Sequence, residues 1–301
     1  MHIRLPGVHA LILITALVCA AGCAPVPKEK SASSARSGVI DVGRTAMYYE
    51  VSGTGQPVLF LHAGIADCGM WDEQVRVFSR EYLVIRCDLR GFGKTSRGSV
   101  PFSHYRDVAT LLDSLGIDRA HVVGSSFGGR VAIDFALAYP RRVLSLVLCS
   151  PAISGAPSTP DLDMIDSTEE SLLKKGDLAG AADFEVRTWV VGPHRNPGEV
   201  SSALRQRVKA MLEHNYSLPS LPGAKSVPLE PRAMTRLEDI HVPTLIMIGD
   251  KDVLSFQDLS LVASRRIPQA RRVVVPGAAH MINLEKPIEF NRILMDFIEH
   301  Q

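Results

Sequence analysis

Two adjacent serines stand between glycines in the stretch HVVGSSFGGR, residues 121–130, directly after a short apolar run. Gly124, Ser126 and Gly128 fit the pattern G-x-S-x-G, which places a serine on a sharp turn between a strand and a helix. Glycines suit this turn because the serine takes unfavourable backbone angles and neighbouring side chains would collide. The pattern predicts Ser126 as a nucleophile, with Ser125 in the variable position. Taken alone, an ordinary glycine-serine loop explains it equally well.

A carboxylate and an imidazole occur later in the chain, each after a predicted strand. Asp252 ends the sequence GDKD, and His280 lies in PGAAHMINLE. A histidine can take the proton of a serine hydroxyl, and a carboxylate holds that histidine in the right tautomer. The order Ser126, Asp252, His280 is the nucleophile, acid and base order of one kind of hydrolytic site. Asp250 competes with Asp252 for the acid role.

A loop after the apolar stretch PVLFL could stabilise negative charge on a reacting oxygen. The amide of Phe127, directly after the nucleophile, would supply one hydrogen-bond donor, and the amide of Gly64 would supply the other. We interpret His62 as a residue that shapes this loop rather than as a base, because His280 already fills that role. The sequence therefore predicts an oxyanion hole formed by Gly64 and Phe127.

The overall composition argues against several classes of partner. Hydrophobic residues make up 46% of the 301 residues and charged residues 22%, which is ordinary for a globular protein. Lys and Arg together number 33 and Asp and Glu 32, so no net field favours nucleic acid or an acidic partner. No spacing of Cys or His suggests a metal site. We expect a small-molecule substrate and neither a metal nor an organic cofactor.

The N-terminal residues resemble an export signal. Residues 1–22 carry a weakly basic start, an apolar run and small residues, and the run is shorter than the ~20 residues that a membrane-spanning helix needs. The tetrad AAGC resembles a bacterial lipoprotein box, with lipidation at Cys23, although its first residue is alanine rather than leucine. Residues 23–37 read as a flexible linker. We expect a lipid-anchored protein of the periplasm or outer membrane, or a secreted product of ordinary cleavage.

Three cysteines remain after removal of Cys19 and lipidation of Cys23. An odd number does not indicate a disulfide framework, although one pair among them could form in an oxidising compartment. The favoured interpretation is that Cys87 and Cys149 are small buried hydrophobes, because each ends an apolar run. The third is Cys68.

From residue 38 onward, short apolar runs alternate with segments of helical spacing. This alternation is typical of an α/β fold with a mostly parallel sheet and helices on both faces. It breaks at about residue 153 and resumes at PTLIMIGD, near residue 243. We predict a core of residues 38–152 and 243–301, with residues 153–242 inserted between late strands as a helical cap.

The chain resembles serine hydrolases of the α/β-hydrolase superfamily over residues 38–300. The elbow, acid and histidine motifs are joined by DLRGFGKTS, which is similar to the family's D-x-R-G-x-G-x-S loop, with Thr95 in place of serine. This resemblance implies architectural roles for Asp88, Arg90 and Lys94. The family's spacing of glycine, two residues and aspartate selects Asp252 as the acid.

Residues 174–195 are similar to the cap of 3-oxoadipate enol-lactonases and small esterases. The chain has HAG where that family more often has HGG or HG, so the oxyanion donor stays open between Gly64 and Ile65. Trp189 and Met164 are predicted to line a pocket for an apolar acyl or lactone group. They could equally be core residues of the helices, an interpretation that is favoured for Met211.

The resemblance implies cleavage of a carboxylic ester or lactone through an acyl-enzyme on Ser126. A serine nucleophile argues against dehalogenase or epoxide hydrolase chemistry, which uses aspartate in this superfamily. A cofactor-free perhydrolase or acyltransferase could use the same three residues. A ligand-binding protein without enzymatic activity is the more distant alternative.

Overall fold

An eight-stranded sheet organises the part of the chain that the computed structural model describes, residues 35–219 and 222–301 together with His2. The strands are β1 (Arg36–Asp41), β2 (Ala46–Ser52), β3 (Pro57–Leu61), β4 (Leu83–Cys87), β5 (Ala120–Ser125), β6 (Val143–Cys149), β7 (Thr244–Gly249) and β8 (Ala270–Val275). Their order is β1-β2-β4-β3-β5-β6-β7-β8. β2 is antiparallel to both its neighbours, and all pairs from β4 to β8 are parallel. The predicted mostly parallel α/β sheet is confirmed.

Helices follow the strands along the chain. They are α1 (Asp72–Phe78), α2 (His104–Ser114), α3 (Phe127–Ala138), α4 (Pro160–Lys174), α5 (Leu178–Glu185), α6 (Ser202–Ser217), α7 (Leu254–Arg266), α8 (Ile282–Glu285) and α9 (Pro287–Glu299). The strand β3 shows why helices cover both faces. Val58 and Phe60 belong to an apolar cluster with residues of α1 and α9, whereas Leu59 and Leu61 belong to a cluster with α2 and α3. Alternate side chains point to opposite faces, so a strand that is apolar throughout needs cover on both.

The helices α4, α5 and α6 lie in the long connection between β6 and β7, inside the predicted cap. Gly176 follows the end of α4 with φ +76°, a left-handed conformation that glycine adopts without strain, and it separates α4 from α5. A π-helical turn, Val186–Val191, continues directly from α5. The domain limits themselves stay a prediction. At the other end of the core, β1 begins at Arg36, inside the predicted linker, because Arg36 pairs with Val51 of β2.

Apart from His2, the predicted signal peptide (residues 1–22) lies outside the described residues, as do most of the linker and the lipidation site Cys23, so they stay predictions together with export. Among the described residues, no helix combines the length and apolar character needed to cross a membrane. Cys68, Cys87 and Cys149 are buried free thiols. Burial raises the pKa of all three, so they are expected to stay protonated.

Candidate active site

Ser126 occupies a strained turn between β5 and α3. Its backbone angles are φ +53° and ψ −112°, a conformation that residues other than glycine rarely adopt. The flanking glycines are required by space: a Cβ at Gly124 would lie 2.3 Å from the carbonyl oxygen of Gly128, and a Cβ at Gly128 would lie 2.3 Å from that of Leu61. The turn leaves Ser126 partly exposed while Ser125 is buried. The sequence pattern therefore forms the sharp elbow that it predicts.

Backbone hydrogen bonds hold this turn in place. The amide of Ser126 donates to the carbonyl of Cys149 at 2.8 Å, and the carbonyl of Ser126 accepts from the amides of Arg130 and Ala152, both at 3.1 Å. The turn is thus hydrogen-bonded both to α3 and to the end of β6 with the residues that follow it. These bonds keep the strained angles from relaxing. The serine also stands at the N-terminus of α3, where the helix dipole favours negative charge.

His280 and Asp252 form a buried pair. The imidazole Nδ1 lies 2.9 and 3.0 Å from the two carboxylate oxygens of Asp252, and the residues are 2% and 1% exposed. Oδ1 of Asp252 also accepts from the amide of Val253 at 2.8 Å. Asp250 instead accepts from the amide of Gly277 at 2.6 Å. Of the two candidate acids, Asp252 is the one that contacts the histidine, and a proton on Nδ1 leaves Nε2 able to accept.

Ser126, Asp252 and His280 follow β5, β7 and β8, whose carboxyl ends lie along the same edge of the sheet. Within residues 35–219 and 222–301, no direct hydrogen bond joins Ser126 Oγ to His280, and Nε2 of His280 has no protein partner. Such contacts are often long without substrate. The complete triad therefore stays a prediction.

The predicted oxyanion donors lie beside each other. A Cβ placed on Gly64 would lie 3.4 Å from Cβ of Phe127, so the two residues are in close approach. In the described part of the chain, the amides of Gly64, Ile65 and Phe127 donate to no protein acceptor. Gly64 is partly exposed and Ile65 is buried. These amides therefore have hydrogen-bonding capacity that the protein itself does not use, and the choice between Gly64 and Ile65 stays open.

His62 holds the loop that carries Gly64. Its Nε2 accepts from the amide of Leu89 at 3.0 Å, which assigns the proton to Nδ1, and Nδ1 donates to the carbonyl of Ala63 at 2.8 Å. Complete burial lowers the pKa of His62, partly offset by the nearby charge of Asp88. His62 is therefore a neutral residue that connects two loops.

The loop of residues 88–96 is held by contacts within it and by contacts to residues outside it. Asp88 accepts from the amides of Cys68 and Lys94, both at 2.8 Å, and Arg90 forms a buried ion pair with Asp107 at 2.7 Å.

In the described ranges, no group of three or more His, Cys, Asp or Glu side chains could hold a metal ion.

Trp189 and Met164, both predicted to line a substrate pocket, lie in different surroundings. The Trp189 ring packs against the His280 ring with 4.6 Å between centroids and is 8% exposed. Met164 is 61% exposed and lines a cavity of about 310 Å³ with Phe184 and Val253, among others, but not with the predicted triad. Met211 is partly buried against the apolar core.

Two further residues were not identified from the sequence: Phe256 contacts the imidazole itself, and Glu185 contacts Trp189. The ring of Phe256, in α7, lies 4.5 Å from the His280 ring at 81°. Glu185 accepts from Nε1 of Trp189 at 2.7 Å. The only sequence signal for the second contact is the separation of four residues, which places both side chains on one helix face.

The chain belongs to the alpha/beta hydrolase fold family, whose family model matches residues 56–287. It is 31% identical to a protein of Azorhizobium caulinodans that carries the name carbamate hydrolase RutD, over 85% of this chain and 96% of that one. It is 26% identical to carboxylesterase YbfK of Bacillus subtilis, over 80% and 79% of the two chains.

Solved structures show the same fold. Est816, described as an enzyme that degrades N-acyl homoserine lactones, superposes with a TM-score of 0.67 and 26% identity, covering 86% of this chain and 100% of that one. An enol-lactonase from Burkholderia xenovorans superposes with a TM-score of 0.71 at 20% identity, over 87% and 100% of the chains. The resemblance to α/β hydrolases predicted from the sequence is confirmed. The proteins similar to this chain include hydrolases, esterases and lactonases.

Proposed function

We propose that this protein is a serine hydrolase that cleaves a carboxylic ester or lactone through an acyl-enzyme on Ser126. The observation that carries the proposal is the buried His280–Asp252 pair, at the same sheet edge as a serine held in a strained turn. The free amides of Gly64 and Phe127 beside that serine support the same chemistry. Relatives named as a carboxylesterase and as a lactone-degrading enzyme support the substrate class.

In the first half of the reaction, Nε2 of His280 takes the proton of Ser126 while Oγ attacks the carbonyl carbon. The amides of Phe127 and Gly64 receive the resulting oxyanion. When the tetrahedral intermediate collapses, the carbon–oxygen bond to the leaving group breaks, and that oxygen takes the proton from His280. An ester between the acyl group and Ser126 remains; with a lactone, the released hydroxyl stays attached to it.

In the second half, water replaces the alcohol. His280 takes a proton from the water as its oxygen attacks the acyl carbon, and the proton passes to Oγ of Ser126 when the acyl-enzyme bond breaks. Asp252 stabilises the imidazolium in both halves. The products are a carboxylic acid and the regenerated serine.

The nucleophile is tested with a fluorophosphonate probe and a pair of serine variants. We expect the probe to label Ser126, as located by peptide mass spectrometry, and Ser126→Ala to lower kcat for p-nitrophenyl esters by about 10⁴-fold or more. Ser125→Ala is the matched control and should keep most of the activity, because Ser125 is buried in β5. Absence of a phosphonate adduct on Ser126, or full turnover by Ser126→Ala, would overturn the proposal.

The substrate class is tested with purified protein on a series of p-nitrophenyl esters of increasing acyl length, extended to lactones. Acid release from these substrates supports hydrolysis. Transfer of the acyl group to peroxide or added alcohol in preference to water would instead identify the perhydrolase or acyltransferase alternative. An absence of turnover on the whole series, together with an unlabelled Ser126, would favour a ligand-binding protein.

A further inference from the structure

The cap segment Trp189–Arg195, which we call the clamp segment, contacts the loop that carries His280. Its first residue makes two contacts with the histidine itself. The indole ring packs against the imidazole at 4.6 Å and an interplanar angle of 47°, and the carbonyl of Trp189 accepts from the amide of His280 at 3.2 Å. Both the side chain and the backbone of His280 therefore lie against the clamp segment.

Arg195, the last residue of the clamp segment, contacts residues before and after His280 in the chain. Its guanidinium donates to the carbonyl of Gly277 at 2.9 Å and to Glu285 at 2.8 Å, with side-chain exposures of 9% and 5% for the ion pair. Glu285 in turn accepts from the amide of Ala279 at 2.7 Å. Arg195 also donates to the carbonyl of Val190 at 3.0 Å, so one side chain connects the clamp segment to the histidine loop.

Gly192, in the middle of the clamp segment, shows how closely it fits. A Cβ at Gly192 would lie 2.6 Å from the carbonyl oxygen of Lys251 and 3.2 Å from Cβ of Ala279. Its φ of +87° also favours glycine. The backbone of the cap is therefore packed directly on the loop before Asp252 and on the loop before His280.

Trp189 is itself held in orientation. Its Nε1 donates to Glu185, which is 4% exposed, and its ring also packs edge-on to Phe256 at 5.3 Å. Burial, helped by the nearby charges of Glu169 and Asp166, raises the pKa of Glu185 to about 8, while the bond from Trp189 acts in the opposite direction. The partner of the indole is thus a carboxyl group that is mainly protonated at neutral pH.

We propose that Trp189 is a positioning residue for His280, which rests on the function proposed above. Asp252 fixes only the Nδ1 edge of the imidazole and leaves the ring free to tilt about that contact. The rings of Trp189 and Phe256, which also pack against each other, both contact the imidazole and limit this tilt, and so they hold Nε2 in the orientation in which it takes the proton of the serine. The cap thereby contributes to the base as well as covering the sheet edge.

Two variants separate this role from that of a substrate-lining wall. Trp189→Leu removes the ring against the imidazole, and we expect kcat to fall by about 10- to 100-fold, the scale of a misplacement of about 1 Å. The fall should be similar for short and long acyl chains, with KM little changed. The rate at which a small fluorophosphonate labels Ser126 should fall in parallel, because this reaction also needs the base. Trp189→Phe keeps an aromatic ring and should recover most of both rates.

Val208→Ala is the matched control for loss of cap packing, because Val208 is a fully buried residue of α6. It should lower the temperature of thermal unfolding and leave kcat and the labelling rate near those of the unaltered protein. Unchanged kcat in Trp189→Leu would overturn the positioning role. A rise in KM that depends on acyl length, with kcat unchanged, would also overturn it. That pattern would identify Trp189 as a substrate-lining residue. If Ser126 of the unaltered protein is not labelled, the proposed function itself fails.

Discussion

The carboxylates of the two aspartates after β7 differ in what they contact. Asp252 meets Nδ1 of His280, and Asp250 meets the amide of Gly277. Only Asp252 is therefore placed to hold the imidazole tautomer and to stabilise its charged form. The motif spacing selected the same residue, and its assignment as the catalytic acid is open to a direct kinetic test.

Replacing the acid by its amide should separate the two residues. Asp252→Asn keeps the shape of the side chain but removes its charge, and we expect kcat for an ester substrate to fall by about 10⁴-fold. Asp250→Asn keeps an oxygen that can accept from Gly277 and should retain most of kcat. Steady-state kinetics of the two variants on one substrate provide the comparison. Equal losses would contradict the assignment of Asp252.

At the scale of elements, the junction of β3, β5 and α3 sets the geometry of the serine turn. A Cβ at Gly128 would collide with the carbonyl oxygens of Leu61 and His62, at 2.3 and 2.6 Å, and these are backbone atoms that cannot rotate away. We expect Gly128→Ala to push α3 away from β3. The free energy of unfolding should fall by about 1–3 kcal/mol, as in overpacked cores.

The same displacement should lower activity, because it moves Phe127 relative to Gly64. We expect a loss of about 10²-fold or more in kcat, measured beside denaturant unfolding of the same variant. Gly198→Ala is the control, since a Cβ at Gly198 meets nothing within 4 Å. A Gly128→Ala protein with the stability and kcat of Gly198→Ala would show that the close approach has no consequence.

The elements show which features can be predicted from sequence. The alternation of apolar runs and helical spacing, and the glycines around Ser126, are local patterns with local causes, so the sheet and the serine turn were predicted correctly. The contacts of Trp189 with His280 and of Arg195 with Glu285 join residues about 90 positions apart. No local periodicity encodes such pairs, so the surroundings of Trp189 could not be predicted from the sequence. The exposure of Met164 likewise had to come from the structure.

At the scale of the whole molecule, burial of histidines links the fold to pH. Three histidines besides His280, the proposed base, are almost completely buried: His62, His104 and His121. Burial is the largest cause that lowers the pKa of each, to about 3 for His104 and about 4 for His121. The folded protein therefore keeps these rings neutral under conditions in which the unfolded chain binds protons.

The sign of the effect follows from proton binding. Below the ordinary histidine pKa of about 6.5 the unfolded state gains a proton at His104 that the folded state does not, so the free energy of unfolding falls as pH falls from about 6.5 toward 3. The full contribution is present above pH ~6.5. At pH 5 the loss from His104 should be about 2 kcal/mol, and the loss from His121 adds to it.

His104→Phe isolates one of these contributions. The ring lies edge-on between Phe102 and Phe127, at 4.9 and 5.0 Å, and its Nδ1 has no hydrogen-bond partner in the described part of the chain, so phenylalanine should replace it with little loss of packing. Denaturant unfolding at pH 7 and pH 5 should show that the unaltered protein loses about 2 kcal/mol more than His104→Phe between the two pH values. Parallel pH dependences for the unaltered protein and His104→Phe would show that His104 is not held neutral by the fold.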